Sequence, residues 1–230
     1  MNLHIYSAIK GYKKRSPKRF HMPGHKGKNV LKTDFSYDVT ELPAIDNEVA
    51  IKNAEKDAEK IYGAKKVKFL SDGATAGILS ALYAVSLKTE KIIINKDAHK
   101  SVYNALTLLK KTPVIIGGVY SDNTAKPLTV EELKAAVTAN PSAKVACLTY
   151  PDYYGKTFDI NSVSAFFKER GIILIIDGAH GGLMRYTSPS VYGGKYADIL
   201  VESAHKTFPT LNQGALIICY NDDLADGIEE

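Results

Sequence analysis

The chain has 230 residues, of which 45% are hydrophobic and 24% are charged, a composition typical of a globular protein with a substantial core. Its net charge is +5, and the excess lies partly in a basic run between residues 10 and 19. Aromatic side chains do not alternate with these charges as a nucleic-acid stacking surface requires. A solvated basic helix is therefore the favoured interpretation, and a polyanion site is the alternative.

Two cysteines, Cys147 and Cys219, lie within apolar runs, which predicts buried free thiols in a reducing compartment. Their spacing indicates neither a disulfide framework nor a metal site. No apolar stretch reaches membrane-spanning length, and the N-terminus lacks the core of a signal peptide. We therefore expect a cytoplasmic protein that binds neither a membrane nor nucleic acid.

The first 46 residues are predicted to form a short helix followed by two irregular segments. FHMPGHKG at residues 20–27 is a loop by its Pro and Gly content, and DVTELPAID follows at residues 38–46. Polar groups among apolar anchors indicate loops that face a ligand or an interface, and a surface loop with incidental histidines is the alternative. We predict that residues 1–46 carry these loops and that residues 47–230 form the main domain.

From residue 47 onward, helices alternate with apolar strands. Thr129 and Glu132 are expected to form a capping box at the start of one helix. Nearly continuous apolar strands are typical of a mostly parallel sheet that is covered by helices on both faces. The sequence therefore predicts an α/β fold. The predicted strands cover residues 67–70, 91–95, 114–119, 144–149, 172–176, 197–201 and 215–219.

The segment Ser71–Gly77, SDGATAG, lies between the first strand and the helix that follows it. Free backbone N–H groups and the helix dipole favour an anion at such a turn, and Thr75 can add a hydroxyl donor. The segment lacks the Gly-Lys-Ser/Thr of a Walker loop and does not match GxGxxG. A phosphate monoester is the favoured ligand, and a tight turn of small residues for packing is the alternative.

Other strand ends also carry chemically reactive or polar side chains. Because ligands bind at the carboxyl ends of parallel strands, we expect these residues to share one crevice. Taken singly, Asp177 could instead cap a helix and Lys206 could be an exposed cation. The residues at these strand ends are His99, the loop Tyr150–Gly155, Asp177, His180, Ser203, His205 and Lys206.

Pyridoxal 5′-phosphate requires this combination of groups. Its aldehyde condenses with a lysine amine, and desolvation or a nearby cation makes that amine nucleophilic. Its phosphate is bound by helix N–H groups and hydroxyls. An aspartate beside the ring nitrogen keeps the ring protonated, so that it accepts electrons from a carbanion. The same contact satisfies a carboxylate charge that the end of a buried strand would otherwise leave unpaired.

Several motifs follow one another over most of the chain, and the last two are the most specific. They are FHMPGHKG (20–27), DVTELPAID (38–46), FLSDGATAG (69–77), DAHKS (97–101), YPDYYG (150–155), IDGAHGG (176–182) and ESAHKTFPTLNQGA (202–215). With these motifs in this order, the chain resembles the pyridoxal-phosphate-dependent ornithine/lysine/arginine decarboxylases, which have the aspartate-aminotransferase fold.

The resemblance implies a role for each candidate residue. Lys206 would bind the cofactor as a Schiff base, Asp177 would pair with the pyridine nitrogen, and His99 would stack on the ring face. His180 would lie beside the ring, near its phenolic oxygen or the substrate. The residues that would hold the phosphate are Ala74, Thr75, Ser203 and His205. The residues that would lie near the active site or a dimer interface are His21, His25 and Glu41.

The resemblance also implies α-decarboxylation of lysine, arginine or ornithine, as in polyamine biosynthesis, by a homodimer or a higher homo-oligomer. Lys206 or His99 would return a proton to Cα after loss of CO2. The family continues past this point with a C-terminal small domain that closes over the substrate, so we expect a chain truncated after the core of the large domain. The alternatives are an aminotransferase or lyase of the same fold, and a non-catalytic remnant that binds the cofactor or a partner chain.

Overall fold

The computed structural model describes residues 3–15, 44–118, 126–208, 210 and 213–228. Contacts divide the chain into two compact units, Met1–Tyr62 and Gly63–Glu230. The helix that ends at Tyr62 therefore groups with the first unit, whereas the sequence prediction placed the domain boundary after residue 46. The functional assignment of residues 1–46 and 47–230 stays a prediction.

The first unit contains helices α1 (His4–Lys14) and α2 (Ala44–Tyr62) within its described residues. The two helices pack together, and His4 Nε2 lies 3.1 Å from Asp57 Oδ2. The predicted loop at residues 20–27 lies outside the described residues, as does most of the second loop. In the part of the chain that the structure describes, no helix combines the length and apolarity needed to cross a membrane.

The second unit contains every predicted strand, with boundaries that differ by a few residues. The predicted capping box of Thr129 and Glu132 is confirmed at the start of α5. The strands are β1 (Lys66–Leu70), β2 (Lys91–Asn95), β3 (Thr112–Ile116), β4 (Val145–Thr149), β5 (Ile173–Asp177), β6 (Ile199–Ser203) and β7 (Ala215–Cys219). The helices are α3 (Gly73–Val85), α4 (Lys100–Leu108), α5 (Val130–Ala139), α6 (Ile160–Glu169), α7 (Met184–Thr187), α8 (Ala204–Thr207) and α9 (Asp222–Ala225).

The strands form one 7-stranded sheet in the order β1-β7-β6-β5-β4-β2-β3. Strand β7 runs antiparallel to both of its neighbours, and every other adjacent pair is parallel. The central strands β4, β5 and β6 are almost completely buried, as their continuous apolar sequences predict for strands covered on both faces. The predicted mostly parallel α/β sheet is confirmed.

Helices cover both faces of this sheet. One core contains side chains of α3 and α4, including Ile78 and Val102, together with Ile175 of β5. The alternate residues of β5, Leu174 and Ile176, point to the opposite face and are also buried. Helix α6 contacts β5 as well as α5. The carboxyl ends of the parallel strands therefore open at one edge between two packed layers.

Gly77 allows α3 to approach the sheet closely. A Cβ atom at this position would lie 2.7 Å from Val201 Cγ1 and 2.9 Å from Leu70 Cδ1, much closer than carbon atoms pack without overlap. Val201 lies in β6, and Leu70 is the last residue of β1. Because glycine has no side chain at this position, α3 packs closely against β6.

We predict that Gly77→Ala lowers the free energy of unfolding by about 1–3 kcal/mol, because the added methyl group overpacks the contact with Val201. Urea denaturation measures this change. Gly11→Ala in α1 is the matched control, since a Cβ at Gly11 meets no atom within 4 Å and alanine has the higher helix propensity. A Gly77→Ala protein as stable as the Gly11→Ala protein would contradict the packing argument.

Candidate active site

A cavity of about 390 Å³ lies at the carboxyl ends of the parallel strands. It is formed within the second unit by the ends of several strands and the N-terminal turns of α3 and α4. The structure brings together every site residue that the sequence predicted in this unit. These residues are Ala74, Thr75, His99, Asp177, His180, Ser203, His205 and Lys206.

The N-terminus of α3 supplies backbone N–H groups to one wall of the cavity. Asp72 is the N-cap residue, and its side chain makes no capping hydrogen bond. Gly73 has a φ of +74°, a backbone conformation that favours glycine. Ala74 can offer only its backbone N–H, whereas Thr75 can also offer a hydroxyl. This wall has the donors and the helix dipole that bind a phosphate.

Ser203 and His205 lie where β6 ends and α8 begins, and both line the cavity. Ser203 is fully buried, and its Oγ lies 3.2 Å from His205 Nδ1. His205 Nδ1 also lies 3.0 Å from the carbonyl oxygen of Gly214, the residue before β7. The antiparallel return of β7 therefore orients a polar pair whose sequence positions predicted phosphate contacts.

Lys206 is held in α8, directly after this pair. Its Nζ lies 3.3 Å from His180 Nε2. Burial and the charge of Lys206 lower the pKa of His180, so His180 is unprotonated at neutral pH and its Nε2 can accept a hydrogen bond from the lysine. This contact places a hydrogen-bond acceptor beside the Lys206 amine.

Asp177 ends the central strand β5 and is 4% exposed. Its Oδ1 accepts a hydrogen bond of 3.2 Å from the backbone N–H of Ala179. Burial raises the pKa of Asp177, while that hydrogen bond and the positive charges of His99, Lys206 and His180 oppose the rise. Among the described residues no cation lies within ion-pair distance of this carboxylate. A cationic ligand in the cavity would supply the missing partner.

His99 is the N-cap residue of α4. Its Nδ1 accepts a hydrogen bond of 3.2 Å from the Ser101 backbone N–H and lies 2.8 Å from Ser101 Oγ. These contacts fix the orientation of the imidazole ring at the mouth of the cavity. A ring held in this way can stack on a planar ligand, which is the role that the sequence predicts.

The structure adds residues that the sequence analysis did not single out. Thr149 ends β4 with a buried hydroxyl that has no hydrogen-bond partner. Tyr153, 76% exposed, stands edge to face with His180 at 5.5 Å between ring centroids. Asp97 and Gln213 also line the cavity. Thr149 and Tyr153 lie in or beside the loop Tyr150–Gly155, which the sequence predicted to lie at the cavity. Only the tertiary structure shows which side chains of this strand end reach it.

The predicted roles of His21, His25 and Glu41 concern positions outside the described residues. Their proximity to this cavity or to a dimer interface stays a prediction.

This combination of fold and cavity is that of the large domain of a pyridoxal-phosphate-dependent enzyme. The residues fit the cofactor, because a helix N-terminus and a lysine line the cavity and the buried Asp177 carboxylate forms no ion pair with any described residue. The model of the Orn/Lys/Arg decarboxylase major domain matches residues 4–227. The chain belongs to this family, and membership implies pyridoxal 5′-phosphate as its cofactor.

Relatives with known sequences agree with this assignment. The chain is 31% identical to the uncharacterized protein YaaO of Bacillus subtilis over 94% of its own length and 48% of that protein. It is 26% identical to an arginine decarboxylase of Bacillus subtilis, over 93% of the chain and 47% of the relative. The chain thus spans about half the length of these curated relatives.

Solved structures share the fold at lower sequence identity. The SepCysS–SepCysE N-terminal domain complex gives a TM-score of 0.67 at 20% identity, covering 99% of this chain and 54% of that chain. An archaeal O-phosphoseryl-tRNA(Sec) selenium transferase gives a TM-score of 0.66 at 18% identity, and the match covers 93% of this chain and 55% of that chain. These likenesses support the fold alone.

We predict that Asp177→Asn stabilises the protein without cofactor at pH 7 by about 1–3 kcal/mol, because it removes a charge that burial disfavours. The raised pKa of Asp177 fixes the sign of the pH dependence. Ionised Asp177 lowers the free energy of unfolding of the wild type at pH values above the pKa of this carboxyl in the unfolded chain. That stability is regained as pH falls through the higher pKa that Asp177 has in the folded state. The stability difference, measured by urea denaturation, should therefore shrink as pH falls toward the ordinary pKa of an aspartate in the unfolded chain.

Asp159→Asn is the control for this experiment. Hydrogen bonds from Ser162 lower the pKa of Asp159, so the sign is opposite, and acid should weaken the wild type relative to this variant. If Asp177→Asn destabilises the cofactor-free protein at pH 7, the carboxylate has a favourable partner and the argument fails.

Proposed function

We propose that this chain is the cofactor-binding part of a pyridoxal-phosphate-dependent decarboxylase of a basic amino acid. One observation carries the proposal: Lys206 and Asp177 line the same cavity as the N-terminus of α3. An amine, an acid for the ring nitrogen and an anion site are the three contacts by which this cofactor is held. Relatives named as arginine decarboxylases make arginine the first substrate to test, before lysine and ornithine.

The residues divide into groups that would hold different parts of the cofactor. The α3 N-terminus with Thr75, together with Ser203 and His205, would hold the phosphate. Asp177 would pair with the ring nitrogen, and His99 would cover one ring face. When bound, the cofactor supplies a protonated ring that accepts the electron pair released as CO2 leaves the substrate.

The proton chemistry follows from the pair of Lys206 and His180. Burial and the lysine charge lower the pKa of His180, which favours the neutral imidazole, so that it can accept a hydrogen bond from Lys206 across their 3.3 Å contact and would hold the amine in position for attack on a carbonyl carbon. Lys206 or His99 then returns a proton to the substrate carbon. Decarboxylation needs one proton to be delivered at Cα, which either of these residues could supply.

Exposed aromatic side chains, of which Tyr153 lines the cavity, support an assembly of copies of this chain, as a homodimer or a higher homo-oligomer. Tyr153, Tyr154 and Tyr186 are 76%, 59% and 61% exposed. Large exposed aromatic residues are enriched where proteins associate. The proposed product, a decarboxylated basic amino acid, is a polyamine precursor, and the reaction would take place in the cytoplasm.

We predict that purified protein mixed with pyridoxal 5′-phosphate develops an absorbance band that the free cofactor lacks. Borohydride reduction should then attach the cofactor to Lys206, as peptide mass mapping can show. Lys206→Ala should abolish both signals because the amine is lost. Lys88→Ala, which changes an exposed lysine outside the cavity, should retain both. Labelling at another lysine would refute the assignment of Lys206.

We predict that the loaded protein releases CO2 from arginine, lysine or ornithine, and that Asp177→Asn lowers this rate roughly a hundredfold or more, because the ring nitrogen loses its acid partner. Trapping of released CO2 measures the reaction. Formation of a keto acid instead would identify an aminotransferase. Cofactor binding with neither product would identify the non-catalytic alternative, in which the chain binds cofactor or a partner chain without turnover.

A further inference from the structure

Thr149 presents an unusual polar group beside the proposed cofactor site. The residue is half-buried, but its hydroxyl oxygen is buried completely and has no hydrogen-bond partner. Among the described residues, Asn47 Oδ1 is the only other buried side-chain atom in this state. A buried hydroxyl without a partner costs about 1–3 kcal/mol, and such a group calls for a physical explanation.

The strand register places Thr149 directly beside Asp177. The two residues are Cα partners in the parallel pair β4–β5, so their side chains leave the same face of the sheet with backbones about 4.8 Å apart. Both side chains line the cavity. On the opposite side, the Cα partner of Asp177 is Val201, a buried residue that cannot donate a hydrogen bond. Of these two strand neighbours of Asp177, Thr149 is thus the one whose side chain can donate a hydrogen bond.

The Asp177 carboxylate has room for a further donor. A carboxylate has about four lone-pair positions, and Ala179 N–H occupies one of them at Oδ1. His99, Lys206 and His180 act on Asp177 through their charge. An ionised carboxylate in a buried position requires hydrogen-bond donors in addition to an opposite charge.

We propose that Thr149 is a positioning residue for Asp177. Rotation about its Cα–Cβ bond moves Oγ1 to another staggered position, from which it donates a hydrogen bond to the Asp177 carboxylate when a cationic pyridine ring is bound. Threonine occupies more than one such rotamer readily. The inference rests on the proposed function, because the cationic ring is what keeps Asp177 ionised and in need of the donor.

The test compares Thr149→Val, which has the same shape without the hydroxyl, with Thr149→Ser, which keeps the hydroxyl. Two quantities are measured on the full chain: urea unfolding without cofactor, and the equilibrium Kd for pyridoxal 5′-phosphate by absorbance titration. In Thr149→Val we expect stability equal to or above that of the wild type, since an unpaired buried hydroxyl is removed. We expect its Kd to rise roughly tenfold to a hundredfold, the value of a hydrogen bond to a charged group. Thr149→Ser should retain the wild-type Kd.

A cofactor analogue separates positioning of Asp177 from a general packing effect. In 1-deazapyridoxal 5′-phosphate, carbon replaces the ring nitrogen, so the ring carries no proton for Asp177 to pair with. Thr149→Val should bind this analogue as tightly as the wild type does. Equal weakening for both cofactors would overturn the inference, and so would an unchanged Kd for pyridoxal 5′-phosphate. If the wild type binds neither cofactor, the proposed function falls together with this inference.

Discussion

The carboxylate of Asp177 is the charge around which the site is arranged. It ends the central strand of an apolar sheet, is 4% exposed, and has a pKa that burial raises. A charge in such a position persists only when donors and cations surround it. The cavity places Lys206, His180 and His99 near it, and a cationic ring would complete the set. In the proposed function the same acid would keep the ring protonated, so that one contact would satisfy both the buried carboxylate and the chemistry.

Sheet topology delivers the other groups to this acid. Strands β4, β5 and β6 are adjacent and parallel, so Thr149, Asp177 and Ser203 end at the same edge. The reversed strand β7 returns the backbone of Gly214 to His205. Gly77 lets α3 pack against Val201, which brings a positive helix end to the same cavity. Each contact depends on strand order, and none follows from proximity along the chain.

The chain belongs to the Orn/Lys/Arg decarboxylase family and spans about half the length of its curated relatives. The proposed cofactor contacts all lie within the half that this chain covers. The lysine and the acid for the ring nitrogen come from neighbouring strand ends of one sheet. The hydrogen-bond partner of Lys206 is His180, three residues beyond Asp177. In the proposed function, cofactor binding would therefore depend on this sheet, and it can be tested separately from recognition of the substrate side chain.

Apolar runs and turn residues along the chain predicted every strand, the mostly parallel sheet and the polar strand ends, because these depend on local patterns of burial. Motif order also predicted the residues that line the cavity, including Lys206 and Asp177. The pairing of Thr149 with Asp177, the contact of Tyr153 with His180 and the reversal of β7 were decided only by the tertiary structure. These features depend on which strands become neighbours and on the rotamers that packing selects, and neither is encoded in a local pattern of residues.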